Sequence, residues 1–239
     1  MKKKTILLLK KAFILSLKII LVVVCVALIL IVGRKYYLLY WKIKRLDVSV
    51  KPRLAIMKNL YHYISDIADK NNIKLFLLFG TLLGQQRNNK LICYDYDVDF
   101  GVLYSDVSKL VKALTTHIET DSSLYEIDFV DNIVATKIII THKKSNISAD
   151  IDVYKKTKNR SFTKQNNYLT FLYDKYIANA CKTRNLPYDW LMPLKSVSFL
   201  GNNIYIPNKP EQILKCEYGK DYLIPNNTCN KDCSKCVEI

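Results

Sequence analysis

The sequence predicts an α+β fold, a mixed α/β arrangement of helices around one mixed sheet, preceded by a transmembrane helix. Three observations carry that prediction. An apolar stretch long enough to cross a bilayer stands near the start. Beyond it, helix-period and strand-period segments alternate, and strand-like segments then cluster. Half of the 239 residues are hydrophobic, enough to build a core, which excludes a disordered chain. Six Gly and six Pro exclude collagen-like and Gly/Ser low-complexity chains, and seven Cys do not make a small disulfide scaffold at this length.

Residues 1–11 form a basic flank. Ala12 to Gly33 is then interrupted only by Lys18. Its 22 residues span about 33 Å as a helix, close to a bilayer core of roughly 30 Å. Lys18 lies near enough to the start for its head to reach the interface. Tyr36, Tyr37, Tyr40 and Trp41 form an aromatic belt at the exit. A cleaved signal peptide has a shorter apolar run and ends in small residues, whereas Gly33 is followed at once by Arg34, Lys35 and aromatics. The expectation is a retained single-pass anchor over 12–33 and a juxtamembrane stem over 34–53. Both flanks are basic, so charge leaves the orientation open.

A catalytic domain is expected over 54–228, followed by a Cys-rich tail over 229–239. Leu54, Met57, Leu60, Tyr61, Ile64, Ile67 and Ala68 recur at helical spacing and predict a helix over Pro52 to Asn72. Lys74 to Phe79 reads as a buried strand, Thr81 to Asn88 as a short helix, and Val98 to Leu103 as a second strand. Ser105 caps a helix reaching Glu119. Ser122 to Val130, Ile133 to Thr141 and Ser148 to Tyr154 read as strands. Leu169 to Thr183 reads as a helix. Phe199 to Pro207 reads as a hairpin around Gly201-Asn202-Asn203. Pro210 to Glu217 reads as a helix, with Pro at its first turn and Gly219 past its end.

The formal net charge is +16, which suggests nucleic acid or an anionic surface as partner. Its distribution argues against nucleic acid. Residues 1–53 carry 13 Lys and Arg against the single acid Asp47, whereas residues 54–239 carry 24 against 20. Most of the excess thus flanks the anchor rather than covering the folded part, where a nucleic-acid-binding domain concentrates it.

The informative stretch is Phe79 to Gly101. Asp95, Asp97 and Asp99 are spaced by two, and alternate residues of a strand share a face. At least Asp97 and Asp99 should project together. Carboxylates on one face repel unless a cation sits between them. Asp150 and Asp152 repeat the pattern on a later strand, and the two strands side by side would make a hard-oxygen site for Mg²⁺ or Mn²⁺. Upstream, Gly80-Thr81 lies where a strand gives way to a helix. Such a turn offers N–H groups to a phosphate, and Arg87 could neutralise an anionic substrate. A strand, a Gly-Thr turn and spaced Asp residues on the next strand are the arrangement of the nucleotidyltransferase superfamily.

These residues resemble the LicD/fukutin family of phosphotransferases. That family's pattern is approximately Gly-Thr-Leu-Leu-Gly, an Arg, then Ile-Pro-Trp-Asp-Asp-Asp-Ile-Asp. Here it reads Gly80-Thr81-Leu82-Leu83-Gly84, Arg87, then Ile92-Cys93-Tyr94-Asp95-Tyr96-Asp97-Val98-Asp99. Ile151-Asp152-Val153 matches a later strand, and Phe199-Leu200-Gly201, Ile206-Pro207, Tyr218-Gly219 and Asp221-Tyr222 match the C-terminal part. Tyr94 replaces a Trp, Tyr96 an Asp and Leu200 a Glu.

The resemblance implies transfer of a phospho-alcohol from a CDP-alcohol, CDP-choline or CDP-ribitol, to a glycan hydroxyl, with CMP leaving. It implies Asp97, Asp99 and Asp152 as metal ligands, and Asp152 or Asp150 as acceptor of the attacking hydroxyl's proton. Gly80, Thr81, Gly84, Arg87 and Asp95 are the implied substrate-binding set, with Gly80 and Thr81 on the phosphates and Arg87 on a phosphate or an Asp. The implied partners are the CDP-alcohol donor, the glycan acceptor and the membrane. The implied setting is a single-pass membrane protein with its catalytic domain in the Golgi or ER lumen or otherwise outside the cytosol. Two other readings stay open: a catalytically silent relative that binds glycan or assists assembly, and a nucleotidyltransferase acting on nucleic acid.

Cys93 abuts the Asp run and reads as a small packing residue, like Cys25 in the anchor. Cys216, Cys229, Cys233 and Cys236 read as disulfides or free thiols ahead of a zinc site, because their spacing is not that of a zinc ribbon. His62, His117 and His142 are scattered without ligand spacing. Asn146, Asn159 and Asn226 begin formal glycosylation sequons.

Overall fold

A computed structural model describes residues 50–120, 123–131, 136–156, 161–164 and 185–225, together with 16, 18–23, 33 and 36. The chain divides into two compact units, Met1–Asp47 and Val48–Ile239. In the first, the described residues are helical and exposed. Most of the expected anchor over 12–33 lies outside the described residues, and among those described no helix is long and apolar enough to cross a membrane. The expected helix over Leu169 to Thr183 and the tail over 229–239 also lie outside them.

The second unit is a mixed α/β domain. Helix α1 (Val50–Lys70) begins inside the expected stem, so the folded unit starts ahead of residue 54. It buries Met57, Leu60, Tyr61, Ile64, Ile67 and Ala68, the stripe that its periodicity marks. Asn71 donates its side-chain N–H to the Ile67 carbonyl (2.8 Å), and Asn72 takes φ 51°, which ends the helix. Then follow β1 (Phe76–Leu77), α2 (Phe79–Asn88), β2 (Asp97–Leu103) and α3 (Val107–Thr120). The strands β3 (Tyr125–Asp131), β4 (Thr136–His142), β5 (Ile147–Lys156), β6 (Ser161–Lys164) and β7 (Asn185–Pro187) come next. The short α4 (Tyr188–Leu191), β8 (Lys195–Phe199), β9 (Asn202–Ile206) and α5 (Pro210–Tyr218) complete the domain.

The sheet runs β3-β4-β5-β2-β1-β9-β8, with β6 pairing β5 and β7. The β2–β5 and β1–β9 pairs are parallel and the rest antiparallel. Its two faces differ. Val98, Phe100 and Val102 of β2 and Ile147, Ala149, Ile151 and Val153 of β5 join α1 and α3 in the main core. Each fully buried side chain of this kind contributes roughly 1.5–3 kcal/mol. The opposite face carries Asp97, Asp99, Asp150 and Asp152, and further along it Tyr154 joins Phe76, Leu78, Leu186, Leu191 and Ile213 in a second cluster.

Two expected elements are corrected. Lys74 to Phe79 is strand only at Phe76–Leu77, because Phe79 takes φ 43° and already opens α2. The hairpin is longer and turns earlier than its glycine and asparagines suggest. Leu200 (φ 53°) and Gly201 (φ 94°) make the turn, and both asparagines belong to β9.

Candidate active site

Residue-by-residue register builds the site. Parallel pairing sets Asp97 beside Ser148, Asp99 beside Asp150 and Gly101 beside Asp152. The two Asp-x-Asp elements therefore share one face of adjacent strands. Asp95 precedes β2, yet its carboxylate folds back to join Asp97 and Asp99. One oxygen of each lies within 4.8 Å of the others. All three residues are half-buried.

The electrostatics follow from that crowding. Burial, then the Asp97 charge and a hydrogen bond shared with Asp97, raise Asp95 to about 7. The Tyr96 backbone N–H, donated to Asp95 Oδ1 at 3.0 Å, and the Arg53 charge oppose this rise. Burial, followed by Asp97, Asp95, Asp150 and Asp152, holds Asp99 well above the ordinary carboxylate range. Such a trio of hard oxygen donors, crowded enough to hold protons near neutrality when no cation is bound, fits Mg²⁺ or Mn²⁺. Asp152 is 2% exposed on the same face and lies outside this trio. Asp95, expected on the substrate side, thus joins the Asp97 and Asp99 carboxylates directly, and the charge of Asp152 acts on Asp99.

The expected substrate-binding residues separate into distinct roles. Gly80 leaves the Asp95 carboxylate its place, because a Cβ there would stand 2.0 Å from Asp95 Oδ2 and displace it. Thr81 is 1% exposed, and its Oγ1 accepts the Asp99 backbone N–H at 2.8 Å. Through that bond it braces β2 at Asp99. At Gly84 a Cβ would meet the Lys90 carbonyl oxygen at 2.3 Å, so that glycine lets the 90–92 loop pack on α2. Among the described residues Arg87 pairs with no carboxylate. Its Nε–H donates to the Tyr222 carbonyl at 2.8 Å, and its terminal nitrogens donate to Tyr222, to Ile224 (3.3 Å) and to the Tyr94 hydroxyl (3.3 Å).

A cleft of about 920 Å³ opens beside Asp95. Its walls are the Gly80, Leu83 and Arg87 side of α2, the Ile92, Tyr94 and Asp95 loop, and the segment from Tyr218 to Pro225. Burial and the charges of Asp99, Glu217, Asp95 and Asp97 push the Tyr218 hydroxyl above its ordinary range, so it stays protonated facing the carboxylates. Cys93 and Cys216 are both disulfide-bonded. Cys93 is therefore a covalent tether rather than a packing residue, as its half-buried place in a loop permits.

The comparisons with known proteins bear on this site. The family model described as LicD/FKTN/FKRP, nucleotidyltransferase domain, matches residues 72–209, more than half of the chain. The chain belongs to the LicD/FKTN/FKRP family. A relative in Rickettsia typhi, an uncharacterized protein, is 35% identical over 65 residues, 27% of this chain and 21% of its own length. Another in Rickettsia prowazekii, also uncharacterized, is 28% identical over 178 residues, 74% of this chain and 59% of its own. The chain thus spans less than two thirds of the length of either relative. Among solved structures, the antibiotic-resistance factor ANT(2'')-Ia overlaps at TM-score 0.40 and 13% identity, over 64% of this chain and 66% of that one. Terminal uridylyl transferase 4 from Trypanosoma brucei, with bound GTP, overlaps at TM-score 0.30 and 15% identity, over 45% and 32%. Both overlaps are partial.

The LicD/FKTN/FKRP match contains all five site carboxylates but not α1 or the Tyr218 to Pro225 wall. Two cations that sequence reasoning missed complete the site. Arg53 of α1 is 5% exposed, donates to the Cys93 carbonyl at 2.6 Å and lies 4.3 Å over the Tyr96 ring. Lys137 of β4 reaches Asp150 Oδ2 at 2.5 Å. Arg53 is one of four Lys and Arg on α1 and Lys137 the one on β4, and only register and packing reveal their partners.

Proposed function

We propose that this chain is a metal-dependent transferase that moves a phospho-alcohol, of the phosphocholine or ribitol phosphate type, from a CDP-alcohol to a glycan hydroxyl. Residues 12–33 would hold it in a membrane, with the catalytic domain in the Golgi or ER lumen or otherwise outside the cytosol. The observation that carries the reading is the trio Asp95, Asp97 and Asp99, three carboxylate oxygens within 4.8 Å inside the family domain. These residues would hold Mg²⁺ or Mn²⁺, whose charge would neutralise the donor's diphosphate. Gly80 admits the Asp95 carboxylate, and Thr81 fixes β2 beneath Asp99. Tyr94 and Tyr218 offer aromatic walls to a nucleoside, and Lys220 offers a cation at the mouth. Asp150 or Asp152, on the same sheet face, would take the proton of the attacking hydroxyl. Arg87 keeps the Tyr222 to Ile224 wall in place.

The test is a screen of CDP-alcohols for CMP release with Mn²⁺ or Mg²⁺. One CDP-alcohol should be turned over by the wild type, and Asp97→Ala and Asp99→Ala should abolish turnover. Wild-type rates in both variants would defeat the reading. Tyr96, standing where the family usually has an Asp, favours a second reading as a catalytically silent module. That module would show no Mn²⁺-dependent thermal protection by CDP, whereas the enzyme should.

A further inference from the structure

Five carboxylates face one another across β2, its preceding loop and β5, and one ammonium is built among them. Lys137 lies opposite Asp152 in the β4–β5 register, so the two side chains leave the sheet on the same face. From there its Nζ reaches diagonally to Asp150 Oδ2 at 2.5 Å. Neither partner is freely solvated, with side-chain exposures of 29% and 18%. Burial alone would lower the Lys137 pKa, but Asp150, Asp152 and Asp99 together hold it above its ordinary value, so the ammonium stays charged. At the other end of the row, Arg53 stands by Asp95, fixed between the Cys93 carbonyl and the Tyr96 ring. The acids are thus divided: Asp95, Asp97 and Asp99 form a compact trio, and Asp150 is held by an ion pair.

We infer that Lys137 is a positioning residue that restricts this face to a single divalent ion, its ammonium occupying the Asp150–Asp152 side where a second ion would otherwise bind. The inference rests on the proposed metal-dependent reading. An ammonium at hydrogen-bond distance from a carboxylate blocks inner-sphere coordination of the same oxygen and repels a cation nearby. Arg in place of Lys would preserve the charge, whereas Met would preserve the alkyl stem and remove it.

Equilibrium dialysis of the full chain against Mn²⁺, without nucleotide, tests this. The wild type and Lys137→Arg should bind one ion per chain. Lys137→Met should bind two. Asp150→Asn should still bind one, because Asp150 is not among the ligands, and the double variant Lys137→Met/Asp150→Asn should return to one. Melting curves of each variant confirm that it is folded, and Asp150→Asn provides a reading if Lys137→Met does not fold. One ion in both the wild type and Lys137→Met, with Kd within twofold, overturns the role of Lys137 while leaving the transferase reading intact. Loss of the ion in Asp150→Asn overturns it too, as does a wild type that binds two. A wild type that binds none overturns both the inference and the metal-dependent function.

Discussion

Asp95 stands where the local chemistry converges. Its carboxylate occupies the space that a Gly80 Cβ would fill, touches Asp97 and accepts the Tyr96 N–H. Because it is raised to about 7, the folded protein holds a proton near neutrality that the unfolded chain has released. The unfolded state then binds fewer protons, so stability falls as pH rises from the ordinary carboxylate range through about 7. Asp99, also raised, acts in the same direction. Metal-free protein should therefore melt at a higher temperature near pH 5 than near pH 8, and excess Mn²⁺ should flatten that slope by replacing the proton. Melting curves with and without chelator check this, with Asp95→Asn as the variant that removes part of the slope. At this scale the Asp-x-Asp spacing was legible, because strand alternation alone puts such acids on one face. Arg53 and Lys137 were not legible, because each resembles a solvated charge until another element is laid against it.

At the scale of elements, α2 does more than present a turn to the site. Through Arg87 it holds the segment after α5, gripping the Tyr222 and Ile224 carbonyls across the cleft. Hydrogen bonds to a charged group contribute about 1.5–3 kcal/mol each, less where solvent reaches them. Arg87→Ala is expected to lower stability by about 1–3 kcal/mol and to expose the chain beyond Tyr218 to limited proteolysis. Arg87→Lys should not rescue it, since a lysine cannot donate in a fork. Urea unfolding midpoints and a timed protease digest measure both effects. The sequence marked α1, α3 and β3 to β5 through clean periodicity. It overstated β1, where an apolar run continues from strand into helix, and it did not reveal β6 or β7. The four residues of β6 (Ser161–Lys164) show no apolar alternation, and β7 (Asn185–Pro187) ends in a proline.

Over the whole domain, a two-faced sheet separates stability from chemistry. One face joins α1 and α3 in the main core, and the other divides into a second apolar cluster and the carboxylate row. Gly101, on the chemical face, lies against the Phe76 ring, where a Cβ would come within 2.2 Å. The mixed class was readable from the order of elements, and the β2–β5 neighbourhood from their matching Asp-x-Asp elements; the parallel sense of that pairing was not, since nothing local specifies it between strands so far apart in the chain. Each wall of the cleft adjoins a disulfide-bonded cysteine, Cys93 two residues before Asp95 and Cys216 two residues before Tyr218. A native disulfide typically contributes about 2–4 kcal/mol. Dithiothreitol should therefore lower both the melting temperature and the CMP release rate, and an unchanged rate after full reduction, checked by thiol counting, would separate the tethers from the chemistry. Such bonds persist in oxidising surroundings and are rare where glutathione keeps thiols reduced. Production of the chain thus becomes a matter of redox history. Material made in a thiol-rich host and never oxidised should have its sheet in place, with Cys93 and Cys216 left as thiols beside the cleft.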